Sequence, residues 1–260
     1  MSEVPGSASE GPSPTAPPSV APDGQAATLG IGATFGWALL IFVVAQVVGV
    51  VVIWLSGKMA LGAAVRYDGL LVALVTLITN PVQIVLLGAV VDWRTPRRPA
   101  EYLGLTPFTR RDFAVGALAL VAFIGVVDLA SYLAGLDIVS SFQTESYTTA
   151  RDEGWLLPLI IAVVVVGPAG EEILFRGFLF RGWVGHGWRG AIGIVVISLI
   201  WAAMHVQYDW LGIGQVFLTG LLLGWLRWRS GSTLLTLVLH MLVNLEGTLE
   251  AMVKLSGAGS

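Results

Sequence analysis

Six polar side chains sit in stretches that are otherwise apolar, and their types are those of acid–base chemistry. Glu171, Glu172 and Arg176 lie within Trp155–Leu179, His205 ends Ala191–Val206, and His240 and Asn244 lie within Thr233–Val253. An ionisable residue inside a bilayer costs about 2.5–3.5 kcal/mol on insertion scales, which makes each a functional candidate by default. The bland alternative is interhelical hydrogen-bond glue, worth about 0.6 kcal/mol on average. That alternative suits a lone residue better than two carboxylates, two histidines and an amide placed on three helices.

Helical phase separates their roles. At about 100° per residue, Glu172 and Arg176 share a face and can pair, whereas Glu171 points about 140° away from Arg176. His240 and Asn244 project together at the same i,i+4 spacing, as do Trp201 and His205. A junction of the three helices would hold one unneutralised Glu, two His and one Asn. A carboxylate in a pocket of low dielectric, aided by a histidine, can take a proton from water that attacks a carbonyl carbon. An amide and a second histidine can donate to the oxyanion that develops. Gly170, just before the pair, permits close approach of backbone or substrate, and small residues also serve plain helix packing.

The elements that must position this set are membrane helices. Of 260 residues, 55% are hydrophobic and 12% charged, about half the usual charge of a soluble domain, and mean hydropathy is +0.81. Spanning takes about 20 apolar residues. Seven stretches qualify: Gly32–Leu55, Leu70–Val91, Phe113–Leu133, Trp155–Leu179, Ala191–Val206, Trp210–Trp228 and Thr233–Val253. The expected fold is an all-α transmembrane bundle of about seven spans, or eight with a re-entrant helix, kinked at Asn80-Pro81 and Pro168-Ala-Gly170. Residues 1–29, rich in Pro, Ser, Ala and Gly, read as a disordered tail, and residues 30–255 as one membrane domain. Asp92–Asp112 and Asp137–Gly154 read as linkers. The former carries Arg94, Arg97, Arg98, Arg110 and Arg111 and belongs in the cytoplasm, which puts the N-terminus inside a cell membrane. Arg227 and Arg229 agree with that orientation, and Lys58 and Arg66 disagree mildly. A net charge of -3 gives no sign of a nucleic-acid partner, and the absence of cysteine excludes thiolate chemistry.

Three motifs give these residues a family likeness. Glu171-Glu172-Ile-Leu-Phe-Arg176 fits EExxxR, Trp201-Ala-Ala-Met-His205 stands at FxxxH, and His240-Met-Leu-Val-Asn244 fits HxxxN. In this the chain resembles the CAAX prenyl endopeptidase and bacteriocin-processing (CPBP, or Abi) family of intramembrane glutamate proteases. The resemblance covers Trp155–Val253 and implies Glu171 as general base with His205, oxyanion stabilisation by His240 and Asn244, and structural support from Glu172 and Arg176. Trp201 replaces the usual Phe and reads as a change in the pocket wall. The implied partners are the lipid bilayer and a membrane-associated peptide or protein substrate, with no cofactor. Competing readings are a non-catalytic scaffold or bacteriocin-immunity protein of the same family, a zinc hydrolase using Glu171, His205 and His240 as ligands, and a transporter relaying protons. Elsewhere Asp128 reads as a packing residue, Glu246 and Glu250 as headgroup-zone residues, and His186 as part of an interfacial loop.

Overall fold

The computed structural model describes residues 29–184 and 188–257, so the expected tail and the His186 loop lie outside the described residues. Six helices are long and apolar enough to cross a membrane: Ile31–Leu55, Gly69–Arg94, Arg110–Leu133, Leu156–Trp183, Trp210–Ser230 and Thr233–Leu255. They are the first, second, third, fourth, sixth and seventh helices below. The fifth, Trp188–Ala203, has 16 residues and spans about 24 Å, short of the roughly 30 Å hydrocarbon layer. It ends earlier than the apolar pattern suggested, so His205 sits in the turn beyond it. Among the described residues no strand forms, and the chain is a multi-pass helical membrane protein.

Apolar side chains face outward along these helices, with Leu118, Val121 and Leu133 about 70% exposed or more. Such a surface is stable only against lipid. Inward faces use small residues, because close approach of backbones replaces the hydrophobic drive that lipid removes. Gly220 and Gly224 of the sixth helix lie against Ser198, Trp201 and Ile194 of the fifth, where an added Cβ would come within 2.7–3.1 Å.

The expected kink at Pro168 takes a specific form. The fourth helix is α-helical at Leu156–Ile161 and Gly167–Glu172 but widens into π-helix at Ala162–Val166 and Ile173–Leu179. The two carboxylates therefore sit on a one-and-a-half-turn α segment between π segments, a perturbation common at functional sites. Pro81 stays inside the continuous second helix.

Neither linker is structureless. Ser141–Asp152 is a helix closed by a capping box in which Ser140 and Gln143 bond reciprocally to backbone N–H groups, a signature readable from Ser-x-x-Gln. The Arg-rich loop holds the short helix Pro99–Tyr102 and is knitted to the bundle. Thr233 donates from Oγ1 to Leu103 O at 2.6 Å and from its backbone N–H to Gly104 O at 2.8 Å. Arg227 is buried there, donating to Arg176 O at 2.9 Å. It is a structural brace, so only the other arginines count towards orientation. At the opposite end Lys58 pairs with Asp68 and Glu153, each at 2.7 Å, and this neutralisation removes most of its mild disagreement with the arginine bias. Burial opposes its charge, but the two carboxylates hold Lys58 above the ordinary lysine value.

Candidate active site in the membrane cavity

A cavity of about 670 Å³ opens among the second, third, fourth, sixth and seventh helices, Trp201 of the fifth and the segments around Ser140 and Tyr208. Glu171, Trp201, His205, His240 and Asn244 all line it. The expected three-helix junction is thus present, with Glu172 and Arg176 directly behind it.

Glu172 is fully buried and its Oε1 is shared. Arg176 Nη1 donates to it at 2.8 Å and His240 Nδ1 at 3.0 Å. The i,i+4 pair forms although Arg176 lies in the π-helical stretch that begins at Ile173. A carboxylate can only accept, so His240 carries a proton on Nδ1 and presents Nε2 on its other side. This ties His240 to Glu172 rather than to Glu171, a link that helical phase could not reveal because it runs between helices.

Glu171 is half-buried and has a different partner. Trp201 Nε1 donates to its Oε2 at 2.6 Å. The indole is therefore more than a pocket wall: it supplies a hydrogen bond that phenylalanine lacks. The same residue orients His205, whose Nδ1 lies 2.8 Å from Trp201 O. A carbonyl accepts, so Nδ1–H donates and the neutral ring keeps a lone pair on Nε2. Asn244 Nδ2 donates to Val163 O at 2.8 Å, which uses one amide hydrogen and leaves the other.

Sequence reasoning missed three contributors. Asn80, from the second helix, lines the cavity. Its carboxamide lies against Gly170, where any Cβ would overlap it, and this is the close approach the glycine serves. Gln83, one turn on, donates to Gly170 O at 3.1 Å. The run Thr79-Asn80-Pro81-Val82-Gln83 was the available signal, since two carboxamides inside a span are themselves anomalous. Tyr208 stacks on His205 at 6.0 Å and 8°. Burial, then the Glu171 charge, pushes its phenol well above the ordinary tyrosine value, so it remains a neutral hydroxyl.

Asp128, Glu246 and Glu250, read as packing and headgroup-zone residues, also line the cavity, and a carboxylate oxygen of each lies within 4.8 Å of the others. Glu171, His205 and His240 are not brought that close to one another among the described residues. With Nδ1 of each imidazole engaged as a donor, Nε2 is the ring nitrogen left to each histidine for other contacts.

Comparison with known proteins bears on the segment that builds this site. Residues 153–245 match the family model described as type II CAAX prenyl endopeptidase Rce1-like, which supports the CPBP resemblance carried by the motifs. Residues 153–245 are thus similar to that family. That segment holds every motif residue from Glu171 to Asn244, while Asn80 and Gln83 fall before it. An uncharacterized 24.3 kDa protein of Escherichia coli is 33% identical over 129 residues, which are 49% of this chain and 58% of that relative. No solved structure matches the chain.

Proposed function

We propose that the protein is an intramembrane endopeptidase that activates water with Glu171. The observation that carries this reading is the convergence of Glu171, His205, His240 and Asn244 on one cavity, behind which Glu172 and Arg176 form a buried pair. Glu171, held at Oε2, can accept a proton from water at Oε1, and His205 Nε2 is a second acceptor that orients the same molecule. The hydroxide formed attacks the scissile carbonyl carbon. His240, when also protonated at Nε2, donates to the oxyanion while Glu172 balances its charge, and the second amide hydrogen of Asn244 adds another donor. Collapse of the tetrahedral intermediate passes the proton from Glu171 to the leaving amine. No metal enters this scheme.

The substrate is a membrane-associated peptide or protein in the cell membrane. The cavity reaches the end of the bundle formed by Asp137–Gln143 and Tyr208, remote from the arginine-rich loop, so with the N-terminus inside, substrate enters from the extracytoplasmic side. Membrane fractions from cells carrying the parent or Glu171→Gln test the reading through proteomics of new peptide termini. Termini that depend on Glu171 support it. A cellular phenotype that survives Glu171→Gln, with no such termini, replaces it with a scaffold role.

A further inference from the structure

Trp201 touches both groups assigned to the base. Its side chain donates to Glu171 Oε2 at 2.6 Å, and its main-chain carbonyl lies 2.8 Å from His205 Nδ1. The ring itself is immobilised without help from Glu171. It is 2% exposed, and the Arg176 guanidinium lies 4.3 Å from the ring centroid on one face. His205 and His240 meet it edge-on at 5.1 and 5.3 Å. On the sixth helix Gly220 approaches so closely that a Cβ there would stand 3.1 Å from the ring. The donor is therefore fixed by packing across three helices, whereas Glu171 is a flexible side chain at the edge of a 670 Å³ cavity. Among the described residues no other hydrogen bond holds its carboxylate. Left alone, it would lose rotamer freedom each time it took up the reactive geometry.

We infer that Trp201 is a positioning residue for Glu171: its indole N–H pins one carboxylate oxygen and aims the other at the water to be activated. The inference rests on the proposed role of Glu171 as base. It adds a hydrogen bond that the phenylalanine of the resembled motif cannot make, so the chain has a supporting contact of its own at this position.

Trp201→Phe removes the N–H while keeping an aromatic ring over Arg176. Its loss of volume destabilises on its own, so the contact is isolated by a double-mutant cycle of melting temperatures with Glu171→Ala, measured without substrate. The expected result is that Trp201→Phe lowers the melting temperature less in the Glu171→Ala background than in the parent. With a Glu171-dependent substrate, Trp201→Phe should lower kcat by about tenfold or more, with KM within about twofold of the parent. Additive melting temperatures overturn the contact, and coupled melting temperatures with unchanged kcat overturn the positioning role. If no Glu171-dependent cleavage exists, the protease reading falls and the positioning role falls with it, while the cycle still reports whether the two side chains are coupled.

Discussion

Glu171→Gln and Glu172→Gln are the same chemical change at neighbouring positions, and the structure demands opposite consequences. Glu172 is 0% exposed and Arg176 1%, and the carboxylate carries both Arg176 and His240 on a single oxygen. Among the described residues its Oε2 has no hydrogen-bond partner, so the contacts on the shared oxygen carry most of what offsets the cost of burial. Making residue 172 neutral leaves the guanidinium uncompensated, which costs about 3–5 kcal/mol for a buried pair. At about 2–4 °C per kcal/mol for a domain of this size, the melting temperature should drop by about 6–20 °C. Glu171 is half-buried at the cavity, and a glutamine there keeps a carbonyl oxygen to accept from Trp201 Nε1. That substitution also removes a charge that is costly in a membrane. Glu171→Gln should therefore be inactive and at least as stable as the parent. Melting curves and cleavage rates in one detergent for both variants and for Arg176→Ala check this. The reasoning is refuted if Glu172→Gln melts with the parent, or if Glu171→Gln cleaves at near-parental rate while Glu172→Gln is dead but fully stable.

Asn80→Leu keeps the branched shape against Gly170 but offers no hydrogen bond to the cavity. It should hold its melting temperature and lose several-fold in kcat/KM, and parental activity would make Asn80 a packing residue only. In this cysteine-free chain, Arg98→Cys should resist an impermeant thiol reagent on intact cells and Asp137→Cys should react, whereas the reverse pattern would invert the topology. Lys58 has a raised value in the folded chain, so its ion pairs contribute fully below the unfolded lysine value near about 10.4 and are lost as pH rises through the folded value. Because these groups are partly exposed, the contribution is about 1 kcal/mol or less. The parent should thus lose up to about 2–4 °C between pH 9 and the alkaline limit relative to Lys58→Gln, and parallel melting curves would show the bridge to be without effect. Chelation should leave cleavage unchanged, and a loss restored by zinc alone would revive the metal reading.

Helix positions were legible because they depend on local composition. All seven apolar stretches became helices, most with ends within a few residues of the apolar pattern. The fifth ends short of its apolar pattern, since Met204-His-Val206 continues the apolar run but lies beyond the helix, before Asp209 caps the next. Segments read as linkers failed for a related reason: Ser141–Asp152 is polar, and a search for spans passes over a helix whose face packs on others without crossing lipid.

At the site, the sequence revealed what lies along one helix and missed what crosses between helices. Glu172 with Arg176 is an i,i+4 relation, readable from spacing alone. His240 with Glu172, Trp201 with Glu171, and Asn80 with Gly170 join residues 68, 30 and 90 positions apart, and no periodicity encodes such pairs. Helix-to-helix distance decides them, and that distance is set by glycines. Gly170 admits Asn80, and Gly220 brings the sixth helix onto Trp201 and accepts from Arg176 at its carbonyl. The motif residues supply the chemistry, and these glycines let the neighbouring helices approach closely enough to orient it. A methyl group at Gly170 would displace Asn80 while leaving every residue of the three motifs in place, so Gly170→Ala should cost activity although no reacting atom has changed.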